Sequence, residues 1–158
     1  MGTTTVLLLA FAIGLIGGLR SLTAPAVVSW AAHWNWLNVK ETAMSFMALT
    51  VTAVILTVAA VGELVADKLP NTPSRTAALG IIARLTLGGL SGATLCVAGG
   101  QSLVLGAVLG AAGGLIGAFV GYKARTGLVR ALKVPDLVIA LLEDAVAIGG
   151  AFLLVSRF

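Results

Sequence analysis

Charge is what this chain has least of. Ten Lys or Arg and six Asp or Glu make up 10% of its 158 residues, while 59% are hydrophobic. A soluble domain carries about 25% charged residues, so this composition excludes a soluble fold with a polar coat. Cysteine is nearly absent too. The single Cys96 excludes an internal disulfide and a multi-cysteine zinc site. The single histidine, His33, lies far from Cys96 in the chain. There is no metal-ligand set, no nucleophile–base pair and no nucleotide loop, so the sequence predicts no enzyme, no metal and no cofactor. The formal charge of +4 does not point to nucleic acid. With so few charges, an excess of Lys and Arg fits cytoplasmic loops of a membrane protein.

What remains is apolar sequence in runs long enough to cross a bilayer. The predicted fold is all-α: one integral membrane domain, a polytopic bundle of about five transmembrane helices. The bilayer is its first partner. Most of the 20 glycines sit inside the apolar runs. Helices in lipid gain little from burying apolar surface against each other, and small residues let their backbones approach closely instead.

Segment one runs from about Thr5 to Leu19, with Gly14 and Gly18 on one face. It reads as a retained first helix, because no basic residue precedes its apolar run as in a signal peptide. Arg20 interrupts it, and a second apolar piece follows with Pro25 near its first turn. Residues 5–33 therefore form either one long broken helix or a crossing plus a half-inserted, re-entrant piece. Trp30, Trp34 and Trp36, with His33 among them, read as an interfacial belt.

Segment two spans about Thr42 to Val65 and carries Glu63, with Asp67 four residues on and on the same face. A turn with two prolines, Pro70 and Pro73, leads to segment three, about Ala77 to Ala98. There Gly80, Arg84, Gly88 and Gly92 recur every four residues, which places Arg84 on the packing face. An Arg facing lipid is costly, so Arg84 is expected to point inward to a partner. Segment four, about Ser102 to Tyr122, carries two glycine ladders: Gly106, Gly110 and Gly114, and Gly113, Gly117 and Gly121. They predict a tight contact within the chain or across a homodimer. A basic extension follows, with Lys123, Arg125, Arg130 and Lys133. Segment five begins at Pro135 and Asp136, runs to about Val155, and holds Glu143 and Asp144 about 10 Å in from its start.

With five crossings, the 67–76 and 122–135 loops share one side. The positive-inside bias then places that side in the cytoplasm, with the N-terminus inside and the C-terminus outside. If residues 21–36 also cross, the N-terminus changes sides and the basic loops do not. Glu63, Arg84, Glu143 and Asp144 come to a similar depth, which predicts one mixed-charge cluster, with Asp67 and Arg20 as neighbours. Gly14-Leu15-Ile16-Gly17 recurs as Gly114-Leu115-Ile116-Gly117. Three crossings apart, these copies would run in opposite directions, the inverted repeat of many transporters.

Three stretches, GLRSLTAPAVVSWAA (18–32), ELVADKLPNTPSRT (63–76) and VRALKVPDLVIALLEDAVAIGG (129–150), resemble the DUF4126 family of small bacterial membrane proteins. The resemblance covers nearly the whole chain. It implies a multi-pass protein of the bacterial inner membrane and brings no catalytic residues with it. Two functional readings follow from the residues themselves. In one, the chain is a small transporter or channel in which Glu63, Asp67, Arg84, Glu143, Asp144 and Arg20 line a path for a small ion, proton or solute. In the other, it is a non-transporting structural or assembly protein whose ion pairs lock its helices.

Overall fold

The computed structural model describes residues 1–68 and 78–158; the Pro70–Pro73 turn lies outside the described residues. Among the described residues six α-helices follow one another: α1 (Thr3–Leu19), α2 (Thr23–His33), α3 (Thr50–Ala66), α4 (Ala78–Ala98), α5 (Leu103–Leu132) and α6 (Asp136–Val155), with one 3-10 turn at Ser45–Ala48. No strand occurs among the described residues. The all-helical bundle is as predicted. Three helices, α4, α5 and α6, are long and apolar enough to cross a membrane, and α1 and α3 are shorter apolar helices.

The helix boundaries have local causes. Ser102 opens α5 by accepting a hydrogen bond from the Leu105 amide at 3.4 Å, which satisfies one of the donors a helix start leaves free. At the far end Lys133 adopts a left-handed conformation (φ 52°), and Pro135 cannot continue a helix. Between α4 and α5 the turn needs Gly100, whose φ of +69° suits a residue without Cβ. Segment two starts later than predicted. Residues 42–49 form a turn and the 3-10 element because Met47 is drawn under α2, fully buried, with its carbonyl bonded by the Ser29 hydroxyl at 2.6 Å.

Close contacts give the helix directions. A Cβ added to Gly14 would overlap Gly110, and one added to Gly18 would overlap Gly114 and Ala118, so α1 and α5 run parallel. Gly92 meets Gly106 and Gly88 meets Gly110, so α4 and α5 run antiparallel. From Leu22–Glu63 through Trp30–Thr57 to His33–Ala48, α2 runs antiparallel to α3. Parallel α1 and α5 overturn the inverted repeat, since the two Gly-Leu-Ile-Gly copies point the same way. The reason is α2. It carries the chain back toward the end where α1 began, adding a reversal that the five-segment count left out.

That reversal also decides the ends. Gln101 Nε2 reaches Thr3 Oγ1 at 3.4 Å, and the C-terminal Phe158 packs on a cluster with Val6. Both termini, the tryptophans and the α4–α5 turn therefore lie at one end of the bundle. Arg20, the end of α3, the start of α4 and the α5–α6 connection lie at the other. The expectation that the termini lie on opposite sides is corrected.

Both glycine ladders are used inside the chain. Gly106, Gly110 and Gly114 meet the backbone of α4 at Gly92, Gly88 and Arg84. Gly113 and Gly117 meet α1 at Phe11 and Leu15. Gly121 is buried. The faces that would have served a homodimer are thus occupied by α1 and α4. The apolar core gathers Leu9 and Ile13 of α1, Val27, Val28 and Ala31 of α2, Leu95 of α4 and Val155 of α6. Helix α2 is the most enclosed element: in 11 residues only Trp30 and His33 are not buried. At about 16 Å, it is an interior half-helix.

Candidate functional site

The break between α1 and α2 places Arg20 where four helices converge. Its side chain is 1% exposed. Asp67, one residue past the end of α3, meets its Nη1 at 2.7 Å, and Asp144 of α6 meets its Nη2 at 2.6 Å. The same Asp67 oxygen receives Nη1 of Arg125, from α5, at 2.7 Å. Arg125 in turn forms a two-pronged contact with Asp136 at the start of α6, at 2.9 and 2.6 Å. Lys68 closes the other end, its Nζ 2.7 Å from Asp144 Oδ2. The result is a line of alternating charge: Lys68, Asp144, Arg20, Asp67, Arg125, Asp136. Glu143 sits beside it, 3.5 Å from Arg125 and 3.9 Å from Arg20.

The line ties α1, α3, α5 and α6 together. It does so where the uncharged stretches of α1 and α3 both end. The Arg20–Asp144 contact is an ion pair without a well-aligned hydrogen bond: Nη2 and Oδ1 lack hydrogen-bond geometry despite their closeness, and Arg20 Nε also lacks an acceptor. Asp67 lies outside the helices. Burial alone would raise its carboxyl, but hydrogen bonds and charge from Arg125 and Arg20 outweigh it, holding Asp67 below its ordinary value of 3.8.

Glu63 stands apart from this line. Its two oxygens accept from the Ser21 amide at 2.8 Å, the Ser21 hydroxyl at 2.7 Å and the Leu22 amide at 2.8 Å. A carboxylate from α3 therefore neutralises the amides exposed at the start of α2, where the partial positive end of a helix favours a negative charge. In many transporters such a half-helix end receives an anionic substrate; here the protein supplies the anion. Arg84 is buried and points inward, as expected. Its Nε donates to the Gly18 carbonyl at 2.9 Å and its Nη1 to the Gly80 carbonyl at 2.9 Å. It thereby ties the end of α1 to α4.

Of the six residues predicted to cluster, the structure brings Arg20, Asp67, Glu143 and Asp144 into one network and gives Glu63 and Arg84 separate tasks beside it. Sequence reasoning missed Arg125, Lys68 and Asp136 as members, having read the first two as loop charges and the third as a helix-start charge. Opposite charges flanking the α5–α6 connection, at Arg125 and Asp136, were the available signal. At the opposite end, the indole of Trp30 donates to Thr57 at 2.8 Å. Trp30, Trp34 and Trp36 stack at centroid distances of 5.3 and 5.7 Å, and His33 meets Trp30 edge-on at 5.6 Å.

A recess of about 190 Å³ opens between α5 and α6, lined by Leu19, Leu128, Ile139 and Leu142 with Arg125 and Glu143 at its margin. It reaches the ionic line from an apolar side. A larger recess of about 310 Å³ lies among α2, α3 and α6 around Trp30, Ala60 and Phe152. No group of three His, Cys, Asp or Glu among the described residues is arranged to hold a metal ion. No family model matches this chain, and no curated protein or solved structure matches it significantly.

Proposed function

We propose that this chain is a polytopic protein of the bacterial inner membrane, of the kind its resemblance to the DUF4126 family suggests, and that its ionic line is a lock holding a non-transporting helix assembly in register. The observation that carries this reading is Arg20. It is almost wholly buried and bridges carboxylates from two other elements, one of which is shared with a second arginine. A path for ions needs groups free to exchange partners. Here each of Asp67, Glu143 and Asp144 already faces at least one cation. Buried ion pairs contribute specificity of arrangement more readily than net stability, which suits a chain whose helices offer each other little hydrophobic gain.

In this reading α1, α3, α4, α5 and α6 cross the bilayer and α2 returns through the protein interior. The end with Lys68, Arg125, Arg130 and Lys133 faces the cytoplasm by the positive-inside bias. The tryptophan end faces outward.

Passage of a proton or small cation is the second reading, and the recess reaching Glu143 and Arg125 favours it. Proteoliposomes separate the two. The lock reading expects wild type and Glu143→Gln to give the flux of empty vesicles for protons, sodium, potassium and chloride, while Arg20→Ala lowers thermal stability sharply. A proton or cation flux present in wild type and abolished by Glu143→Gln would overturn the lock and establish transport.

A further inference from the structure

One set of charges takes no part in the ionic line. Lys123, Arg130 and Lys133 are exposed, and their side chains form no ion pair or hydrogen bond among the described residues. Lys123 and Arg130 lie on the last third of α5, and Lys133 caps it. The glycine contacts of α5 with α1 and α4 run to Gly117 and Gly114. Beyond these its inner face, Ala124 and Leu128, turns to α6 across the smaller recess.

The spacing of the outer face is informative. Ile116, Phe119, Lys123, Thr126 and Arg130 follow one another at intervals of three, four, three and four, which makes one continuous helical stripe; Lys133 follows at the left-handed cap of α5. Its first part is apolar and open, with Ile116 46% and Phe119 45% exposed. Its second part is basic. The change comes at Lys123, after 20 uncharged residues from Leu103 to Tyr122. Twenty residues rise about 30 Å, about the thickness of the hydrocarbon layer. The basic part therefore starts at headgroup depth. The Thr126 hydroxyl is already bonded to the Tyr122 carbonyl at 2.9 Å, so it leaves the phosphate-binding role to the cations.

A surface that is apolar for two turns and then carries two unneutralised cations in line, with a third at the helix cap, has the pattern of an anionic phospholipid. We infer that α5 binds one along this stripe, its acyl chain against Ile116 and Phe119 and its phosphate between Lys123 and Arg130, with Lys133 adding charge below. A soluble polyanion would match the cations and leave Ile116 and Phe119 uncovered. The inference rests on the chain spanning a bilayer and not on the ionic line, so failure of the lock would leave it standing.

The test is lipid retention by the full-length protein. Wild type is reconstituted in nanodiscs of equal phosphatidylglycerol and phosphatidylcholine, extracted in mild detergent, and its retained lipid counted by native mass spectrometry. Phosphatidylglycerol should be enriched over phosphatidylcholine. In the triple variant Lys123→Gln, Arg130→Gln, Lys133→Gln the enrichment should fall at least tenfold, since each cation near an anionic surface contributes about fivefold. Phe119→Ala should weaken retention of both lipids, and inorganic phosphate at equal concentration should not displace the lipid. Because the three side chains make no ion pair or hydrogen bond among the described residues, the triple variant should melt as wild type does in phosphatidylcholine alone. Should it melt earlier, the single Lys123→Gln variant replaces it, with an expected fall of about fivefold. Equal retention of the two lipids by wild type, or enrichment unchanged in the variant, overturns the inference. So does displacement of the lipid by inorganic phosphate or by a soluble polyanion such as heparin.

Discussion

Two regions of this bundle are held together by opposite means. Along the seam of α1, α4 and α5, backbones touch through glycine, and almost no polar side chain is involved before Arg84. At the α1–α2 break, contact is made by charged side chains just past α1 and α3 and on α5 and α6. The seam tolerates no added atom but asks nothing of the chemistry around it. The ionic line is tolerant of shape but fails if one sign is removed. A protein in lipid has both options, because close packing and buried charge pairing each replace the hydrophobic gain that water would have supplied.

The largest expected effect lies on the seam. Gly110→Leu places atoms against the Gly88 carbonyl and the Gly92 backbone of α4, neither of which can rotate away. The loss should exceed about 3 kcal/mol, the upper range of overpacking in cores with movable side chains, and show as failure to recover monodisperse protein in detergent. The matched control is Gly149→Ala, where a Cβ meets nothing within 4 Å; it should leave the melting temperature unchanged or slightly raised.

Next comes the ionic line. Arg20→Ala leaves Asp67 with Arg125 and Asp144 with Lys68 but breaks the buried link between them, and should cost about 3 kcal/mol, the low end for a broken buried pair, read as a lowered melting temperature in detergent. Replacing Arg20 and Asp144 together by Met and Leu should recover much of it. If the double replacement is no better than the single, the pair is not the unit of the lock and the contrast with the seam weakens.

A smaller effect belongs to the cap on α2. Glu63→Ala removes acceptors from two amides and a hydroxyl and should cost about 1 kcal/mol, as lost caps do. Hydrogen exchange should rise at Ser21 and Leu22 with α4 and α5 unaffected.

The smallest effect is on acid stability. The Asp67 carboxyl is held below 3.8, so its unfolded form binds a proton first as pH falls. Its contribution is therefore complete above that value and is lost as pH drops below it toward the depressed folded value. Asp67→Asn should flatten this acid limb of the melting-temperature profile. An unchanged limb would mean that Asp67 is not the group the two arginines stabilise.

Much of this was legible in the residues. Glycines at four-residue spacing announced a helix seam, and Arg84 among them announced its inward direction. The membership of the cluster was legible only in part. Glu63 and Arg84 share a depth, but depth says nothing about azimuth, and their side chains turn to the start of α2 and to the carbonyl of Gly18 instead. Arg125 looked like one more loop cation, because the start of α6 at Asp136 was legible but not that the α5–α6 connection folds it back onto Arg125. The inverted repeat failed on α2, whose 11 residues are too short to count as a crossing yet reverse the chain.

The sequence by itself determined an apolar all-helical chain and its glycine faces, because composition, periodicity and glycine spacing act within one segment or between any two that meet. Only the tertiary structure decided which charges pair and which way α1 points relative to α5. Those depend on where a buried half-helix sends the chain, and on rotation of each helix about its own axis. Arg20 carries both lessons: its position in the sequence marked the break, and only the fold brought Asp67 and Asp144 to it.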